Sequence, residues 1–228
     1  PMGEPLLNDQ IEEFYEYAYK KNHFNNITIN TNGLAIDKKN ISRLLNSMNE
    51  FSISVDSINQ ETYAKIHGHN NLDKVLDNIR KCVEYKKKYG CLANIVVRFT
   101  ENELNRGQID DFIAYFKEIG VDGVNYCLEH SFAGVNMDII DDESVKLCPH
   151  PNKIVNFDFL GNMTTCCLNW QLKPTFGNIK NKSIKQLWES ITKRNWNNKG
   201  RFLIPPCKGC SGANEYINGK IRSQRIMF

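Results

Sequence analysis

Between residues 8 and 127 the sequence passes four times from helical spacing to strand alternation, and this repetition constrains the fold more than any other feature. In residues 8–21, Ile11, Phe14, Tyr15, Ala18 and Tyr19 recur at helical spacing, and residues 27–32 then alternate up to Gly33. Residues 38–48 carry Ile41, Leu44 and Leu45, and residues 51–56 alternate again. A longer helix is expected over 71–89, with Leu72, Val75, Leu76, Ile79, Cys82 and Val83 on one stripe and Gly90 as its stop. A strand over 92–99, a helix over 108–119 ended by Gly120, and a strand over 121–127 complete the series. Parallel strands need crossover connections, and helices supply them, so the pattern predicts an α/β barrel or an open doubly wound sheet. In both architectures sites gather at the carboxyl ends of the strands. Here those ends are polar: Asn30-Thr31-Asn32-Gly33, Ser54-Val55-Asp56 and Arg98-Phe99-Thr100.

After Ser131 the character changes. Residues 133–143 have no clear period and read as a linker. Short alternating runs over 154–159 and 163–168, separated by Gly161 and Asn162, predict a small hairpin, and residues 183–192 predict a helix holding Ile184, Leu187, Trp188 and Ile191. No internal repeat or low-complexity tract is present. Charge is nearly balanced, 29 Lys+Arg against 26 Asp+Glu, which points away from nucleic acid and from an anionic membrane surface. No apolar run approaches the roughly 18 residues of a membrane helix. No basic-then-apolar leader precedes the first helix, and a cytoplasmic protein is expected.

Eight cysteines in such a chain point to metal or redox chemistry. Cys207 and Cys210 form a C-x2-C knuckle whose Gly209 gives the backbone room for a tight turn. Cys148 and Cys166 flank the expected hairpin region and bring the number of thiolates to four. Four thiolates suit tetrahedral zinc and an iron–sulfur cluster equally, and spacing does not separate the two; paired disulfides are the weaker alternative. Cys167 adjoins Cys166 and faces the other side of a strand, so it reads as a non-ligand. Cys82 lies on an apolar helical stripe and reads as a small core residue.

Cys148-x12-Gly161-x4-Cys166 followed by Cys207-x2-Cys210 resembles the auxiliary-cluster region of radical S-adenosylmethionine (SAM) enzymes with a SPASM or shorter Twitch domain. The preceding residues resemble the same family in order. Gly3-Glu4-Pro5 looks like its Gly-Glu-Pro element, which contacts the SAM amino group. Asn30-Thr31-Asn32-Gly33 looks like the end of its third barrel strand. Ser54 and Asp56 look like its fourth-strand Ser-x-Asp, whose polar groups face the ribose and methionine parts of SAM. Arg98 stands where a basic residue meets the SAM carboxylate. Tyr63-Ala-Lys-Ile66-His67-Gly68 is similar to a Tyr-x-x-Ile-Arg-Gly segment, with His67 in place of arginine.

The resemblance implies a partial (β/α)6 barrel missing its first βα unit over residues 1–132, a linker over 133–147, and a SPASM/Twitch domain with a β-hairpin and helix over 148–228. It implies SAM held by Gly3, Glu4, Pro5, Asn30, Thr31, Ser54, Asp56 and Arg98. It also implies one auxiliary [4Fe-4S] cluster on Cys148, Cys166, Cys207 and Cys210. The family's Cys-x3-Cys-x2-Cys for the SAM-reducing cluster is not in the sequence. The chain therefore reads as an amino-terminally shortened piece unable by itself to cleave SAM, with that second cluster expected in the full-length protein. No cysteine follows Cys210, which suits one auxiliary cluster and the Twitch type. The implied activity is a radical oxidation of a sugar or cyclitol, the auxiliary cluster relaying an electron and a flavodoxin or ferredoxin acting as reductant. The alternatives are a peptide-modifying SPASM maturase and a non-catalytic cluster- or zinc-binding partner protein.

Overall fold

The computed structural model describes residues 3–129, 153–164, 166–167, 175–192, 216–217, 220–221 and 223–228. The chain divides into two compact units, one made of Glu4–Glu129 with Ser223–Phe228, the other of His130–Arg222 with Pro1–Gly3. The first unit is the expected α/β architecture. Its four parallel strands are β1 (Thr28–Thr31), β2 (Glu50–Ser54), β3 (Asn94–Glu101) and β4 (Gly123–Leu128), hydrogen-bonded in chain order. Helices α1 (Ile11–Lys21), α2 (Ile41–Leu45), α3 (Gln60–His67), α4 (Leu72–Tyr89) and α5 (Ile109–Ile119) fill the connections around them. A fifth strand, β10 (Ser223–Met227), lies antiparallel on β4, with Ser223 opposite Cys127 and Arg225 opposite Asn125.

The sheet has two chemically distinct faces, and this positions the site. Ile29, Phe51, Ile53, Val55, Ile95, Val97, Phe99 and Val124 are buried in one core with Leu72, Val75, Ile79, Phe112 and Phe116 of the helices. Because side chains alternate along a strand, the residues between them face the other way. Directly opposite partners share that second face, and they run Asn30–Ser52–Val96–Gly123 and Ser54–Arg98–Asn125–Arg225 across the strands. Burial of the apolar face supplies the driving force for folding; the polar face is left for other purposes.

Local chemistry explains the helix limits. Asn40 caps α2 by accepting from the Arg43 amide, and Lys39 before it is extended, so the helix expected over 38–48 is instead a 3-10 turn (Ile36–Lys38) followed by five helical residues. Asn59 caps α3 through the Thr62 amide, and Gly68 ends it in the left-handed conformation. Gly90 and Gly120 close α4 and α5 in the same way. Cys82 is fully buried, and burial pushes its thiol up to about 12, the behaviour of a core residue. No helix among the described residues is long and apolar enough to cross a membrane.

In the second unit, β5 (Asn156–Phe157), β6 (Asn162–Thr164) and β7 (Thr175–Asn178) form an antiparallel sheet, and α6 (Ile184–Thr192) follows β7. Met163, Phe176 and Leu187 make its small core. The expected hairpin is present with shorter arms. Asp158 holds its turn by accepting from the amides of Leu160 and Asn162 and from the Asn162 side chain, which keeps its carboxyl below the usual range. A short hairpin pairs β8 (Tyr216–Ile217) with β9 (Lys220–Ile221). Ser223–Met227, which the sequence reading placed in the cluster domain, belongs to the first sheet because its backbone pairs with β4. The expected linker, and Cys148, Cys207 and Cys210, lie outside the described residues.

Candidate functional site

At the carboxyl end of β1, Glu4 acts as a clamp. One carboxylate oxygen accepts from the Thr31 hydroxyl at 2.6 Å and from the Leu6 amide at 3.0 Å, and the other accepts from the Asn32 amide at 2.7 Å. Thr31 in turn accepts from the Gly33 amide at 3.1 Å, and the Gly33 carbonyl accepts from Asn78 of α4 at 2.8 Å. Glu4, Thr31 and Asn78 thereby fix the turn that ends β1. Thr31 is buried on the helix-covered side of the sheet. Asn30, one residue earlier, is exposed on the polar face. Gly3 has a φ of 144° with open space around it, and Pro5 starts the 3-10 turn that Glu4 caps.

At the ends of β2 and β3 a second carboxylate is held as firmly. Asp56 has a φ of 61°, is 7% exposed, and accepts from the Thr100 amide at 2.6 Å. Its other oxygen lies 3.3 Å from His67 Nε2, which is also 3.1 Å from the Val55 carbonyl. Asn105 donates to the carbonyls of Asp56 (2.7 Å) and Thr100 (2.9 Å), tying the loop after β3 to the same point. Tyr63 stacks on His67 with ring centroids 4.3 Å apart; burial, with a smaller push from Asp56, raises its phenol to about 12.

Ser54 and Arg98 sit side by side on the polar face. Arg98 is half-buried, and its guanidinium meets no carboxylate among the described residues; its contact is the Cys127 thiol at 3.7 Å, which also lies 3.4 Å from the Thr100 hydroxyl. A desolvated cation without a counter-ion is costly, and the arrangement suits an incoming anionic ligand. Further from the rim, buried Glu50 is paired with Arg225 of β10 and accepts from Asn125 at 3.2 Å, so the second arginine of the row is neutralised.

Glu4, Asn30, Thr31, Ser54, Asp56 and Arg98 thus all lie in the first unit, at the carboxyl-end side of its parallel strands. They differ in availability: Asn30, Ser54 and Arg98 carry side chains on the polar face, whereas Glu4, Thr31 and Asp56 are engaged in holding the backbone. Sequence reasoning did not single out Asn125 and Cys127 on that face, although their alternation with Val124 and Tyr126 is the signal. It also did not pair His67 with Asp56. In the second unit Cys166 follows β6 and is half-buried.

Comparison with known proteins bears on this geometry. Residues 2–113 match the radical SAM superfamily, and residues 148–211 match SPASM, an iron-sulfur cluster-binding domain. The chain is 27% identical over 120 residues to the GTP 3',8-cyclase of Clostridium acetobutylicum, a match covering 53% of this chain and 36% of that protein. It is 27% identical over 120 residues to the probable GTP 3',8-cyclase of Methanocaldococcus jannaschii, covering 52% and 38%. The matches therefore span little more than a third of the length of these curated relatives. Among solved structures, TYW1 with a lysine-pyruvate adduct bound aligns with a TM-score of 0.42 at 19% identity, over 56% of this chain and 39% of that one. Archaeal TYW1 aligns with a TM-score of 0.40 at 18% identity, over 56% and 40%.

Proposed function

We propose, from the match of residues 2–113 to the radical SAM superfamily and of residues 148–211 to an iron–sulfur cluster-binding SPASM domain, that the chain belongs to that superfamily and that its polar rim binds SAM in an enzyme that oxidises a small molecule by radical chemistry. When bound, SAM and a reduced [4Fe-4S] cluster would supply the capacity for radical hydrogen-atom abstraction, and an auxiliary cluster would supply a one-electron acceptor. The observation that carries the reading is Arg98, a half-buried guanidinium without a carboxylate partner among the described residues, set beside Ser54 on the polar face. Arg98 orients the carboxylate end of SAM, and Ser54 and Asn30 offer polar contacts to the rest. Glu4 and Asp56 keep these groups in place through the backbone. Cys148, Cys166, Cys207 and Cys210 would hold the auxiliary cluster, which would supply one-electron redox chemistry.

The substrate class favoured is a sugar or cyclitol, with a peptide as the second choice; the protein works in the cytoplasm with a flavodoxin or ferredoxin as electron donor. Anaerobic reconstitution tests the cluster: about four irons per chain are expected, as for a [4Fe-4S] centre. Serine at any of the four cysteines lowers the iron content; serine at Cys82, Cys127 or Cys167 does not. Stoichiometric zinc without iron uptake rejects the assignment. This chain, which lacks the Cys-x3-Cys-x2-Cys motif, is expected to make no 5′-deoxyadenosine when given dithionite and SAM, and its production overturns that claim.

A further inference from the structure

We infer that His67 is a positioning residue: with Asp56 it forms an imidazole–carboxylate brace that sets the backbone carrying Ser54 and Arg98, and Asp56 serves this brace rather than touching the ligand. The inference rests on the reading that this rim binds SAM. Two acceptors converge on His67 Nε2, the Val55 carbonyl at 3.1 Å and an Asp56 oxygen at 3.3 Å. Both are oxygen acceptors, so Nε2 must carry the proton and donate. The other Asp56 oxygen is taken by the Thr100 amide at 2.6 Å. One carboxylate therefore joins α3, the end of β2 and β3.

The brace acts at a point where the backbone is under strain. Asp56 adopts a φ of 61°, a left-handed conformation that non-glycine residues hold only when surrounding contacts impose it. The amides of Val55 and Asp56 both donate to the Arg98 carbonyl, at 3.2 and 3.1 Å, so the same strained step grips the residue whose side chain awaits an anion. The Asp56 and His67 side chains are only 10% and 15% exposed, too enclosed for water to take over these bonds freely. His67 is fixed in turn by its stack on Tyr63, a fully buried ring. Ser54 and Arg98 are paired in the β2–β3 ladder, and the brace fixes the backbone immediately beyond them without those two side chains bonding one another.

Equilibrium dialysis of radiolabelled SAM against the full chain tests the brace. His67→Phe keeps the stack on Tyr63 and removes the donor, and it is expected to weaken SAM binding about tenfold, equivalent to one lost buried hydrogen bond. His67→Arg restores a donor and is expected to recover binding to within about threefold of wild type, a rescue that a merely space-filling role does not predict. If His67→Phe binds as wild type while Arg98→Met is weakened, the brace is wrong and the rim reading stands. If neither variant changes binding, the rim reading falls and the brace with it. A measurement on the unmutated chain guards against loss of folding: nitrogen-15 NMR of histidine-labelled protein must show His67 with its proton on Nε2 at neutral pH. A proton on Nδ1 alone overturns the inference.

Discussion

Gly33 offers a direct test of how tightly the first unit packs behind the rim. Its φ is +78°, and a methyl group there lies 2.9 Å from Ile53 Cγ2 and 3.1 Å from Val75 Cγ1. Gly68 has nearly the same backbone, with φ +73°, yet a methyl group there meets nothing within 4 Å. The pair separates backbone strain from overpacking. Gly68→Ala carries the left-handed cost alone, about 1 kcal/mol. Gly33→Ala adds the displacement of two buried side chains, about 1–3 kcal/mol more, for a total of about 2–4 kcal/mol. For a unit of this size the melting temperature falls by roughly 3–4 °C per kcal/mol, so a drop of roughly 6–16 °C is expected for Gly33→Ala against roughly 3–4 °C for Gly68→Ala. Urea unfolding followed by circular dichroism gives the same comparison in free energy, and an unchanged slope shows that the unfolded state is not the cause. Equal losses in the two variants, within about 0.5 kcal/mol, refute the packing argument.

Other expectations are simpler to check. Glu4→Gln leaves an amide nitrogen facing either the Asn32 amide or the Thr31 hydroxyl and Leu6 amide, and about 1–3 kcal/mol of stability is expected to be lost in the same urea assay; a loss under 0.5 kcal/mol rejects the clamp. Burial raises Tyr15, Tyr63 and Tyr126 to about 12, with Asp56 adding to the effect at Tyr63 and Glu101 at Tyr126. Each phenol stays protonated in the folded state while the unfolded chain ionises near 10. The stability they contribute is therefore complete below pH 10 and lost as pH rises towards 12, and an alkaline titration should show cooperative unfolding with a jump in tyrosinate absorbance. Smooth ionisation of all tyrosines in the folded protein contradicts this. Cys82, raised to about 12 by burial, is expected to resist iodoacetamide at pH 8 until the chain unfolds, whereas half-exposed Cys127 reacts in the native protein; native labelling of Cys82 breaks the assignment.

Much of the first unit was legible because its signals are local. The α4 stripe, its terminal Gly90, and the Ile- and Val-rich alternation of β3 each state their conformation within one segment. Helix α3 escaped notice because eight residues give too few turns for a period to show, although Asn59 and Gly68 bracket it with cap chemistry. Strand β10 could not be read locally. Ser223–Met227 has little apolar alternation, and its partner β4 is about a hundred positions earlier in the chain. At the site, the motif residues did gather at the strand ends. What the motif could not say is which carboxylates are saturated by backbone amides, because that depends on where neighbouring loops aim their N–H groups. Glu4 and Asp56 look like ligand groups in one dimension and act as structural hubs in three.

The pairing of Ser223 with Cys127 has an evolutionary reading. The chain leaves the sheet after β4 and re-enters it on the neighbouring ladder, so the exit and the return lie side by side. Adjacent antiparallel strands need no more than a two-residue hairpin to join them. The ninety-odd residues actually found there are thus, for the sheet, a cassette: a long insertion whose ends meet a socket already the right width. Such a socket accepts replacement of its contents without re-laying a single strand, so a lineage can exchange one insert for another while the parallel strands are inherited unchanged. A synthetic chain in which Asn-Gly joins Cys127 to Ser223 would be the empty socket.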